Sequence, residues 1–142
     1  MVEFHRILVP VAGTEADDEA IRLACRLARR DKGKIRAVYV ITLKRTLPLD
    51  AEIESEIGKA EEILDHAESI AEEQDYEIET DLLQAREAGP TIVDEAVERE
   101  VDLILMGVTY KRRFGQFSLG SVVPYVLKNA PCRVILYHQY AA

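Results

Sequence analysis

Apolar positions in this chain alternate between short unbroken runs and longer stretches where they recur every three or four residues. Ile7-Leu8-Val9-Pro10-Val11 is a short run ending at Ala12-Gly13-Thr14, the pattern of a buried strand and its turn. Downstream, Ala20, Leu23, Ala24, Leu27 and Ala28 share one helical face. Thr14 stands where a cap belongs, Asp17 and Asp18 lie near the positive end, and Gly33 closes the helix. Ile35–Ile41 predicts a second buried strand, and the stretch Lys44–Asp50, broken by Pro48, a loop. A long helix follows over about 50–74, with Ile53, Ile57, Ala60, Leu64, Ala67 and Ala71 at steps of four and three. About three such repeats are too few to require a coiled coil, so the helix is read as a crossover packed on a sheet. Tyr76–Leu83 alternates apolar and acidic positions, as in a half-exposed strand near a sheet edge. Gly89-Pro90 opens a short helix with Ile92, Val93, Ala96 and Val97 on its inner face. Val101–Met106 is a buried strand ending at Gly107, and Val108–Leu119 a basic loop. Ser121–Asn129 is a helix that tolerates Pro124 in its first turn. Ala130-Pro131 stops it, and Arg133–Tyr137 is the last strand.

Five strands alternating with four helices predict an α/β fold: a parallel sheet, right-handed crossovers and helices on both faces. The chain of 142 residues suits one domain, 1–142. Ligands of such sheets bind beyond the carboxyl ends of the strands, where the strand order reverses. Pro10 to Gly13, Val40-Ile41 and Met106-Gly107 converge there. Gly107, a polar loop, and Gly120-Ser121 opening a helix form the layout of a phosphate cradle. Glycine lets backbone approach a ligand, and N–H groups at a helix start attract anions.

Charge narrows the ligand classes. Lys and Arg number 18 against 26 Asp and Glu, a net −8, which argues against nucleic acid and against docking on anionic membranes. No apolar run approaches the ~18–20 residues of a membrane span. The first residues run directly into a strand, so no signal peptide is expected. Cys25 and Cys132 lack metal-ligand spacing and are expected to be buried free thiols in a reducing cytoplasm. His5, His66 and His138 are scattered, which leaves metal catalysis without a ligand set. Asp17, Asp18 and Glu19 read as helix-start charges. A P-loop, a G-x-G-x-x-G after the first strand and a G-x-S-x-G elbow are all missing.

Together, several segments carry a resemblance. They are the opening Ile7–Val11, Gly89-Pro90-x-Ile92-Val93-x-x-Ala96, Val101–Gly107, Gly120-Ser121-Val122, and Ala130-Pro131-Cys132-Arg133-Val134. The chain resembles the universal stress protein family over nearly its whole length. The resemblance implies a Rossmann-like fold of the adenine nucleotide alpha hydrolase type and a dimer formed by antiparallel pairing of the Arg133–Tyr137 strand. ATP-binding members carry G-x2-G-x9-G-[S/T]. Gly107, Gly120 and Ser121 match it; Tyr110 stands at the second glycine, where a side chain resists positive φ. Ala12 stands where nucleotide-binding members have an aspartate. The resemblance implies a site of Pro10, Val11, Ala12, Val40, Met106, Gly107, Tyr110, Gly120, Ser121 and Val122, with the base near Val40. Lys111, Arg112 and Arg113 are candidate phosphate contacts. Two functions lead, ahead of a third, an enzyme that uses nucleotide. One is a regulatory module binding ATP or AMP, with Mg only alongside ATP and at most very slow hydrolysis. The other is a nucleotide-free homodimer acting on a protein partner such as a transporter.

Overall fold

β-branched runs make the strands and small-residue stripes make the helices that cover them. The structure, a computed structural model, describes residues 3–110 and 121–140, with the backbone alone for Tyr110 and Tyr140. In chain order the elements are β1 (Arg6–Pro10), α1 (Glu15–Arg29), β2 (Lys34–Thr42), α2 (Glu54–Glu73), β3 (Glu79–Ala85), α3 (Ala88–Glu98), β4 (Leu103–Tyr110), α4 (Val122–Asn129) and β5 (Arg133–Tyr140). The strands form one parallel sheet in the order β3-β2-β1-β4-β5. The half-exposed third strand is at an edge, as its alternation predicts.

Side chains alternate along each strand and so feed two cores. Ile7, Val9, Ile35, Ala37, Leu103 and Leu105 pack with α1 and α2. Leu8, Val38, Ile104 and Met106 pack with Ile92, Ala96, Val123 and Val126 of α3 and α4. The buried stripe of α1 is Ala20, Ile21, Ala24, Cys25 and Ala28, with Leu23 and Leu27 only partly buried at its margin. Its small side chains let the helix axis come close to the sheet.

Several boundaries differ from the sequence reading. β3 starts at Glu79, not Tyr76. Tyr76 is used in closing α2: its N–H donates to Ala71 O at 3.0 Å, and its hydroxyl donates to the Gly33 carbonyl. Val97 is 57% exposed, and Glu95 is buried in its stead beside Arg99. The left-handed residue closing α1 is Lys32, at φ 52°, rather than Gly33; Glu100 after α3 also has φ 52°. β4 does not end at Gly107. It runs on to Tyr110 because β5 runs alongside past Tyr137, pairing Gly107 with Tyr137 through to Tyr110 with Tyr140. The expected loop therefore loses residues 108–110 to the sheet, and its remainder, 111–119, lies outside the described residues.

Candidate functional site

The site begins with a short seam. β4 and β5 are in register over eight residue pairs, whereas β1 and β4 pair only at Ile7↔Leu103 and Leu8↔Ile104. Beyond Leu8 the next strand residues are Val9 and Pro10, and Pro10 has no N–H to offer a ladder. The chain leaves β1 toward β2 on one side and reaches β4 on the other, so this seam is the switch point of the sheet.

A cavity of about 320 Å³ opens where the pairing stops. Pro10, Val11, Ala12 and Thr14 line it from β1 and the following loop. Val38, Tyr39 and Val40 line it from β2, Ala88 and Ile92 from α3, Met106 to Thr109 from β4, and Val122 and Val123 from α4. The walls are mainly aliphatic, and the volume falls at the lower end of small-molecule sites. Ala88 and Val122 also line an adjoining groove of about 380 Å³ with Thr42, Arg86, Ser121 and Tyr125. An apolar slot continuous with a more polar groove can take a flat ring at one end and a polar group at the other.

Seven of the expected site residues meet at the cavity: Pro10, Val11, Ala12, Val40, Met106, Gly107 and Val122. Ser121 is in the adjoining groove. It precedes α4 with helical torsions, and its side chain makes no capping hydrogen bond. Gly120, Lys111, Arg112 and Arg113 lie outside the described residues, as does the side chain of Tyr110. Sequence reasoning missed Thr14, Val38, Tyr39, Ala88, Ile92, Val108, Thr109 and Val123. The strand–helix order was the available signal, since it sends the even-numbered residues of β2 and β4 toward α3 and α4.

Gly107 has a different reason from the one expected. A Cβ there would lie 2.3 Å from the Ala16 carbonyl oxygen. Glycine is needed because the first turn of α1 rests directly on β4, so packing fixes this residue type before any ligand is considered. Thr109, two residues on, brings a buried hydroxyl oxygen that has no hydrogen-bond partner among the described residues. The Oε1 of Gln139, its cross-strand neighbour, is in the same state.

Asp17 is more than a helix-start charge. It is 6% exposed. Its Oδ2 accepts N–H bonds from Ala12 at 3.0 Å, Gly13 at 2.7 Å and Thr14 at 3.1 Å. Gly13 makes the turn possible with φ 87°. Burial raises the Asp17 pKa from its ordinary value, while the three amides pull it down and neighbouring Asp18 adds to the rise. Asp18 itself meets His66 of α2 at 3.0 Å. The signal for this arrangement is an acid three residues after a capping threonine, the spacing of a reciprocal cap.

Both cysteines are free, Cys25 buried and Cys132 partly so. Burial raises both thiol pKa values, while Arg29 lowers that of Cys25 and the Ile104 backbone that of Cys132. Among the described residues no group of three or more His, Cys, Asp or Glu side chains could hold a metal ion. No helix among them is long and apolar enough to cross a membrane.

Comparison with known proteins agrees with this architecture. The sequence model of the Universal stress protein family matches residues 3–138. Universal stress protein MJ0531 of Methanocaldococcus jannaschii is 33% identical over 139 residues, spanning 94% of this chain and 81% of that one. The universal stress protein from Archaeoglobus fulgidus in complex with dAMP superposes with a TM-score of 0.75 at 26% identity, covering 95% of this chain and 98% of that one. A universal stress protein family protein from Arabidopsis thaliana with AMP bound shares the fold alone: TM-score 0.67, 15% identity, 96% and 93% coverage. The chain belongs to the universal stress protein family.

Proposed function

We propose that this protein is a regulatory module that binds an adenine nucleotide, AMP or ATP, in the cavity between β1 and β4. The observation that carries the reading is the aliphatic slot at the switch point, continuous with a polar groove that begins at Ser121. The Archaeoglobus fulgidus relative that holds dAMP supports the ligand class. In this reading the base lies near Val40, and the phosphate end meets Gly120, Ser121 and Val122 with Lys111, Arg112 and Arg113. The G-x2-G-x9-G-S pattern is used with Tyr110 in place of its middle glycine. Mg²⁺ enters only with the phosphates of ATP. The role is binding rather than catalysis, with ATP hydrolysis at most very slow, because none of the described residues lining the cavity is a general base that could activate water. β5 is an edge strand, and its Arg133–Tyr137 segment would pair with a second copy to form a dimer; a monomer by sedimentation would contradict that. Two free thiols fit a cytoplasmic location.

Acid extraction of the purified protein followed by chromatography should release adenine nucleotide. Calorimetric titration should give binding of AMP or ATP that weakens when Lys111, Arg112 and Arg113 are neutralised. No heat at millimolar nucleotide would overturn the reading. It would favour the second one, a nucleotide-free homodimer acting on a protein partner. One observation favours that alternative: the three amides after β1 already have an acceptor in Asp17 and offer nothing to a phosphate.

A further inference from the structure

Three consecutive N–H groups aimed at one point form an anion seat. Here the seat is at the carboxyl end of β1, on the rim of the cavity: Ala12 and Thr14 both line the cavity and donate to Asp17. We infer that Asp17 is a positioning residue for ligand binding: its carboxylate fills the anion seat of the β1–α1 loop, fixes that rim of the cavity and denies the seat to the ligand's phosphate.

The inference rests on the nucleotide-binding reading and adds a division of labour to it. The β1–α1 rim contributes shape, and any phosphate must be held on the α4 side. The geometry supports this in two ways. Oδ2 takes all three amides at 2.7–3.1 Å, so no N–H of residues 12–14 is left for a second acceptor. The carboxylate is also buried, Asp17 being 6% exposed, so it sits behind the loop rather than in the cavity mouth. A small cleft between α1 and α2 backs the seat, and the charged groups facing it are Asp18, Glu62 and His66. The acids among them add negative potential behind the rim, which further disfavours an incoming phosphate.

The test uses adenosine, AMP and inorganic phosphate on the full chain. In wild type, amide resonances of Ala12, Gly13 and Thr14 should move with adenosine and stay still in millimolar phosphate. Movement in phosphate alone would overturn the inference. Asp17→Ala, whose rim is no longer held in one shape, should bind adenosine about tenfold more weakly. Millimolar formate, which can occupy the vacated seat, should restore that affinity in the variant and leave wild type unchanged. Unchanged affinity in a folded variant, or no rescue by formate, would also overturn it. If Asp17→Ala does not fold, the wild-type resonances still decide. If wild type binds neither adenosine nor AMP, the nucleotide reading fails first, and the phosphate-insensitive amides separate that outcome from failure of the Asp17 assignment.

Discussion

The two ends of the sheet each carry a hollow, and the larger one is the less suited to a ligand. At the amino ends of the strands a cleft of about 440 Å³ is lined by Arg6, Lys34, Arg36, Glu79, Glu98, Arg99 and Glu100. Its charges mostly satisfy one another. Arg6 pairs with Glu100 at 3.0 Å, Arg36 with Asp81 at 2.8 Å and with Glu79, and Arg99 with Asp81 at 3.2 Å. At the carboxyl ends the cavity of about 320 Å³ has aliphatic walls and a buried hydroxyl with no partner among the described residues. A ligand entering the first must break ion pairs that water already solvates. One entering the second removes apolar surface from water. Volume alone therefore does not favour a ligand; the state of the lining groups does.

The largest test of this contrast is Gly107→Ala at the cavity end. The added methyl meets the Ala16 carbonyl, so chemical denaturation should show a loss of about 3 kcal/mol, the upper part of the range for overpacking. A loss below about 0.5 kcal/mol would mean that α1 does not rest on β4 as described. Next, Val122→Phe fills the boundary between cavity and groove. AMP affinity should fall about tenfold or more by calorimetry while the melting temperature holds, and an unchanged affinity would remove the cavity from the function.

At the amino end, Glu100→Gly should act in the opposite direction. It removes a left-handed side chain at φ 52° at the expense of an exposed ion pair with Arg6. Relief of that backbone should outweigh the pair and raise stability by about 0.5–1 kcal/mol. Destabilisation would show that the charged cleft does more than solvate the surface. Smallest of all, Lys34→Ala and Glu98→Gln should each leave stability within about 0.5 kcal/mol and AMP binding unaltered.

Asp17 adds a pH test. Its folded pKa is raised above the unfolded value by burial, so the folded state holds the proton more tightly. Between the ordinary carboxylate value and the raised one, Asp17's contribution to stability falls as pH increases, and it recovers on acidification. Stability of wild type relative to Asp17→Asn should therefore decline as pH rises through that window. A difference independent of pH would count against the buried carboxylate.

Much of the fold was legible because its signals are local. Ile7–Val11 and Leu103–Met106 are apolar without interruption, and only a strand covered on both faces tolerates that. Glycine and proline marked most of the breaks. The misplaced boundaries were those decided by a partner elsewhere in the chain. β4 passes Gly107 because β5 runs beside it, and β3 starts late because Tyr76 serves the end of α2 and Gly33. The site was legible as a location, through strand ends at a switch point, and less so as chemistry. Gly107 is glycine for the sake of Ala16, and Asp17 turns inward to its own loop. Both depend on how α1 lands on the sheet, which spacing along the chain does not encode.

The brief contact between β1 and β4 has one more consequence. With only two residue pairs in register, the sheet consists of a three-stranded wing and a two-stranded wing joined at a narrow waist. A molecule wedged in the fork would brace both wings at once. Occupancy could then be felt at β5, on the far margin of the smaller wing, as a change in the twist it presents to whatever docks there.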